Sequence, residues 1–193
     1  MRAAPAACGI VAGLHAAAAL RAAARLQPGT RIDPAGLVTS VQAADFPATG
    51  AVGAALEDPR ALERLAERYW AHVARLFRGL VVAPRTGDGR RVALVVAPLV
   101  LLRLAGPLAV PGRAAWRVTG GLLGGGGELA VEVERGPAGT ACVRVVLESY
   151  RPSLAVHGHP GLYLATQAWV HEWVGRGWLA GLQREEPPEG GSP

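Results

Sequence analysis

The stretch GLYLATQAWVHEWVGRGWLAGL, residues 161–182, decides how the rest of the chain has to be arranged. Its apolar residues recur at three- and four-residue spacing, the period of an amphipathic helix. It carries three of the five tryptophans, Trp169, Trp173 and Trp178. At about 100° per residue, Val170, Trp173, Val174 and Trp178 form one apolar sector. Gln167 falls inside that sector and His171 at its edge, and at i and i+4 the two are neighbours. Polar groups on a buried face need hydrogen-bond partners. The protein can supply them from backbone or a neighbouring strand, or a ligand's polar end can. The tryptophans are predicted to be packing residues, since aromatics dominate core burial. A platform for stacking sugars or bases is the alternative.

A helix with an apolar face needs a surface to cover, and the segment before it supplies one. Residues 91–97, 99–105, 113–119, 128–134 and 141–150 read as strands, with a short further candidate at 80–83. Ala114, Trp116 and Val118 alternate with Arg113, Ala115, Arg117 and Thr119. Leu129, Val131 and Val133 alternate with Glu128, Glu132 and Glu134, and Ala141, Val143, Val145 and Leu147 form a third inward row. Period-2 alternation marks a sheet with one buried face. Short connections make it an antiparallel meander of five to six strands. Gly106-Pro107 is expected to end the strand at 99–105. The glycine cluster at 120–127 joins two strands with no helix after it, so it is read as a flexible hairpin or bulge rather than a phosphate loop.

Ahead of the sheet, Asp58-Pro59 opens a helix: the carboxylate can cap free N–H groups, and proline suits the first helical position. Leu62, Leu65, Ala66, Tyr69, Val73 and Leu76 line one face of it, and Gly79 is its expected cap. Residues 1–26 favour helix on propensity, and 27–55 read as irregular cover with strand character only near 37–41. The division is therefore an Ala-rich extension and cover over 1–55, one α+β domain over 56–183, and a polar, Pro/Gly-rich tail over 184–193.

Composition excludes several functions. Half of the 193 residues are apolar, 18% are charged, and all twenty basic residues are arginine. The net charge of +5 comes from arginines scattered among acids, with no basic cluster interleaved with aromatics, so nucleic-acid binding is not expected. Residues 6–20 are too short and too alanine-rich to span a membrane, which needs about 20 strongly apolar residues. A cytoplasmic protein is expected, with an N-terminal signal or membrane association as the alternative. Cys8 and Cys142 lie far apart, without metal-ligand spacing, and read as small buried hydrophobes. His157 and His159 lack a third ligand, and Glu172 beside His171 makes no HExxH, so no metal and no cofactor are expected. Glu148, at the end of the last strand with Tyr150 and Arg151, is the carboxylate that could pair with His171, raise its pKa and make it a general acid or base. A surface position for Glu148 is the competing reading.

One resemblance bears on all this. The order helix, multistranded antiparallel sheet, long C-terminal helix resembles the START-like, or helix-grip, superfamily of hydrophobic-ligand-binding proteins and cyclase-type enzymes. It covers about residues 58–182 and rests on LERLAERYW (62–70), AWRVTGGLL (115–123), LYLATQAWVHEWV (162–174) and WLAGL (178–182). The closing stretch is similar to a TQxxxH pattern in small bacterial members, standing here as Thr166-Gln167 and His171. Members of the superfamily open with a strand and two short helices, whereas this chain has a longer, Ala-rich opening. The resemblance implies a curved sheet wrapped around the C-terminal helix, a cavity between them, and a lipid- or polyketide-like partner. The expected cavity residues are Gln167, His171, Trp116, Val145, Val174 and Trp178. The alternatives are a cyclase- or hydratase-type enzyme using His171, and a structural or partner-binding protein whose core is filled. Nothing in the sequence sets the oligomeric state.

Overall fold

A computed structural model describes residues 29–78, 90–96, 99–153 and 167–185, the backbone alone at 90–96. The elements run β1 (Thr30–Ile32), β2 (Val38–Pro47), α1 (Gly50–Glu57), α2 (Pro59–Leu76), β3 (Arg90–Val96), β4 (Leu99–Val110), β5 (Arg113–Gly120), β6 (Gly124–Gly125), β7 (Glu128–Arg135), β8 (Thr140–Pro152) and α3 (Trp169–Glu185). The sheet is antiparallel, in the order β1-β2-β8-β7-β5-β4-β3, with β6 paired to the end of β8. The fold is α+β, a helix-grip arrangement in which the sheet packs on the C-terminal helix.

The expected meander is β3 to β8. Ala114, Trp116, Val118, Leu129, Val131, Val133, Ala141, Val143, Val145 and Leu147 are all buried, as their alternation requires. Asp58 caps α2, accepting from the backbone N–H of Arg60 at 2.9 Å and of Ala61 at 3.2 Å. α2 stops at Leu76, with Phe77 as its cap residue. The expected cap at Gly79, the candidate strand at 80–83, the N-terminal helix at 1–26, Cys8, the histidines at 157 and 159, and the tail beyond 185 lie outside the described residues.

Four sequence expectations give way. The stretch 29–55 is ordered structure rather than irregular cover: β2 is ten residues long and lies beside β8, placing the first long strand next to the last. Its inward positions are Val38, Ser40, Gln42, Ala44 and Phe46, and the two polar ones disguise the period. They are linked sideways: Gln42 Nε2 donates to Ser40 Oγ at 2.8 Å, which lies 2.8 Å from Thr30 Oγ1, while Gln42 Oε1 is buried without a partner among the described residues. Next, β4 does not end at Gly106-Pro107. The register with β5 slips by one residue there, and such a bulge tolerates both a residue without N–H and the positive φ of Gly106. Finally, α3 runs past Leu182 to Glu185, whose carboxylate pairs with Arg68 of α2. Cys142 sits only half-buried on β8, opposite Asp45 and Glu134, rather than in the core.

A second bulge matters more for the site. The pairing of β2 with β8 shifts between Val38–Tyr150 and Ser40–Leu147, leaving one extra residue in β8, where Ser149 has φ 50°. The alternation therefore restarts: Glu148 and Ser149 are exposed and Tyr150 returns to the buried face. The helices share that face, α2 against β4 and β5, α1 against β2, β7 and β8, and α3 against β2 and α2. α3 comes close to β2 at Gly175, where an added Cβ would stand 2.6 Å from Gln42 Oε1.

Candidate functional site

Between α2, α3 and the inner faces of β4, β5, β7 and β8 lies a cavity of about 360 Å³. α2 and its cap contribute Tyr69, Trp70, Val73 and Phe77. The sheet and its connections contribute Leu101, Leu102, Leu104, Val118, Leu123, Leu129, Leu147 and Tyr150, and the C-terminal helix contributes Val170, His171 and Val174, with Gln167 one step before it. Apolar walls with a few polar groups are the usual make-up of a small-molecule pocket.

The polar groups of the wall differ in how they are satisfied. The Tyr150 hydroxyl donates to the Leu123 carbonyl at 2.8 Å. Burial pushes the Tyr69 phenol up, so it stays protonated. Gln167 Oε1, His171 Nε2 and Trp70 Nε1 are buried and have no hydrogen-bond partner among the described residues. Leaving such an atom unmatched costs about 1–3 kcal/mol. Burial lowers the His171 pKa to about 4, because the charged imidazolium is poorly solvated there. His171 is thus neutral near pH 7.

Of the expected cavity residues, the structure brings Gln167, His171 and Val174 to the wall. Trp116, Val145 and Trp178 are buried behind it, in the core. The reason is α2. Trp116 meets Trp70 edge-on with ring centroids 5.4 Å apart, and Trp178 meets Tyr69 edge-on at 5.6 Å. Trp70 and Tyr69 therefore stand between those tryptophans and the open volume, while Val118, further along β5, reaches it.

Of the two readings of Glu148, the structure has the surface position, and the pairing with His171 is not formed. Glu148 lies on the outer face, 3.1 Å from Arg113, which also approaches Glu128 and Glu132 at 3.4 and 3.2 Å. No carboxylate raises the His171 pKa; burial lowers it instead. Two of the three C-terminal tryptophans depart from the packing reading as well. Trp169 and Trp173 are 46% and 44% exposed and stack on each other at 5.7 Å, with Trp173 edge-on to Phe77.

The wall residues absent from the sequence reading come mainly from α2 and β4. Tyr69 and Val73 carried a signal, since both sit on the apolar face of α2; what was hidden was that this face looks across a gap at α3. Tyr150 carried none, because only the bulge at Ser149 turns it inward. Among the described residues, no helix is long and apolar enough to cross a membrane, and no three His, Cys, Asp or Glu side chains cluster as metal ligands would.

No protein-family model matches the chain, and no curated protein matches it by sequence. Among solved structures it is similar to the protein Ms6760 from Mycobacterium smegmatis, with a TM-score of 0.39 and 13% identity over 81% of this chain and 96% of that one. It is also similar to CalU16 from Micromonospora echinospora, with a TM-score of 0.32 and 17% identity over 83% of this chain and 84% of that one. Neither likeness is strong enough to carry an argument about function.

Proposed function

We propose that this chain binds an apolar or amphipathic small molecule, lipid- or polyketide-like, between its sheet and its helices, without chemistry on the ligand. One observation carries the reading: an apolar-walled cavity of about 360 Å³ with Gln167 and His171 side by side in its wall, each with an unpartnered buried polar atom. A structural protein would be expected to fill such a space or match those atoms, because each uncompensated group costs stability. The reading takes the chain to be cytoplasmic and its partner to be a small molecule rather than nucleic acid.

Filled-core structural function is the second reading. It is favoured by Trp116, Val145 and Trp178, which close on their neighbours instead of lining the cavity. Acid–base use of His171 has less support, since Glu148 is engaged by Arg113 on the opposite face.

Native mass spectrometry of the purified chain, together with Nile red binding, separates the two leading readings. Ligand binding predicts a mass above that of the polypeptide that disappears on denaturation, and dye fluorescence abolished by Val118→Trp, which fills the cavity. No added mass, and dye fluorescence indifferent to Val118→Trp, would leave the structural reading standing.

A further inference from the structure

We infer that the polar end of the bound molecule is an uncharged hydroxyl, received between Gln167 and His171, rather than a carboxylate, an amine or no polar group at all. The inference rests on the binding proposal above and narrows its ligand class. Gln167, in the turn that leads into the C-terminal helix, and His171, in that helix's first turn, are four residues apart and both in the cavity wall, and among the described residues Gln167 Oε1 and His171 Nε2 both lack a partner. These two atoms are shielded from water in the free protein, so a turn of the side chains toward the cavity is what brings them to a ligand. The terminal torsions of Gln and His are broad and make that turn cheap.

The choice of head group follows from donor and acceptor chemistry. Gln167 Oε1 accepts and cannot donate. Neutral His171 offers either an N–H or a lone pair at Nε2, depending on tautomer. A hydroxyl donates one hydrogen bond and accepts two, so it can donate to Oε1 while accepting from the histidine in its Nε2–H tautomer. If the Gln167 amide is turned by 180°, presenting N–H₂ instead, a hydroxyl still answers it. An ionised carboxylate only accepts, and leaves Oε1 unmatched. An ammonium group only donates, and leaves the N–H tautomer unmatched. Either ion would also surrender its hydration to an apolar chamber, at a cost of several kcal/mol without a buried counter-charge. At roughly 30 Å³ for each water-sized group, the 360 Å³ cavity takes on the order of a dozen non-hydrogen atoms. A medium-chain alcohol, or a hydroxylated ring system of similar size, has these dimensions.

The test is Nile red displacement from the full chain at pH 7.4 by 1-decanol, methyl decyl ether, decanoate and decylamine. One recovered or lost buried hydrogen bond corresponds to about a tenfold change in affinity. Decanol is expected to displace the dye about tenfold more tightly than each of the other three. Gln167→Leu, which keeps the wall apolar and the helix intact, is expected to bring decanol down to the level of the ether. Equal displacement by decanol and ether, or tighter displacement by decanoate, overturns the hydroxyl assignment while leaving cavity binding in place. Failure of the dye to bind at all overturns both. The ligand series on the unaltered protein decides the matter even if Gln167→Leu does not fold.

Discussion

Two aromatic clusters meet at the C-terminal helix, and they have opposite characters. The inner one runs Trp178–Tyr69–Trp70–Trp116, each ring edge-on to the next at 5.4–5.6 Å, and every member is at least 94% buried. The outer one runs Phe77–Trp173–Trp169, ending in a parallel stack of two rings that are nearly half exposed. The same residue type on the same helix thus has two roles. Trp169, Trp173, Arg176 and Ala180 follow one exposed line along α3, while Val174, Trp178 and Leu182 follow the buried one. An indole's large area does not determine its burial; its angle on the helix relative to α2 and β2 does.

Truncating one ring from each cluster should affect stability very differently. Trp116→Ala should cost about 3–5 kcal/mol in urea unfolding, from lost burial plus the void it leaves. Trp169→Ala, an exposed position, should stay within about 0.5 kcal/mol. Equal costs would mean that the outer stack is as structural as the inner cluster.

Next in size is the pH response of the inner side. His171 has a folded-state pKa of about 4, against an unfolded value near 6.5. Between these values the unfolded chain binds more protons than the folded one, so stability falls as pH drops from 6.5 toward 4 and is fully present above 6.5. A difference of that size corresponds to stability on the order of 3 kcal/mol. His72, on α2 near Gly177, is lowered too, first by burial and then by Arg75, and contributes with the same sign. Denaturation midpoints of His171→Gln across this range should show a shallower acid loss than the parent. Parallel curves would mean that the imidazole reaches solvent.

The two sides of α3 can also be compared by one small substitution. Gly175 faces Gln42 so closely that a Cβ would collide with its amide oxygen, whereas the site at Gly181 is open. Gly175→Ala should destabilise by about 1–3 kcal/mol through overpacking. Gly181→Ala should stabilise by about 0.5–1 kcal/mol, because glycine in a helix gives up more chain entropy than alanine. Thermal unfolding of the two variants would show the opposite signs. Two stabilising results would place Gln42 clear of the helix.

Much of this fold was legible from the chain alone, for a local reason. Alternation at 114–118, 129–133 and 141–147 declares a one-sided sheet, and Asp58-Pro59 declares where α2 begins. These signals are set by neighbours within a few residues. β2 escaped because its inward residues include Ser40 and Gln42, two polar side chains that bond each other, with Ser40 also bonding Thr30. That is a tertiary arrangement with no trace in the hydrophobic period.

For the site, spacing alone sets Gln167 and His171 one turn apart in apolar company, since a four-residue interval brings side chains to the same side of a helical turn. It also determined that Val174 would share their side. Only the tertiary structure decided that Trp116 and Trp178 lie behind the cavity wall, because that depends on Trp70 and Tyr69 of α2 reaching them first. Only it decided that Tyr150 faces in, because one extra residue at Ser149 reverses the alternation of β8, whereas Glu148 keeps the outward place that alternation gives it. And only it decided that His171 is neutral, because a pKa depends on the surroundings that folding brings to the ring, and here those are apolar side chains without a carboxylate among them.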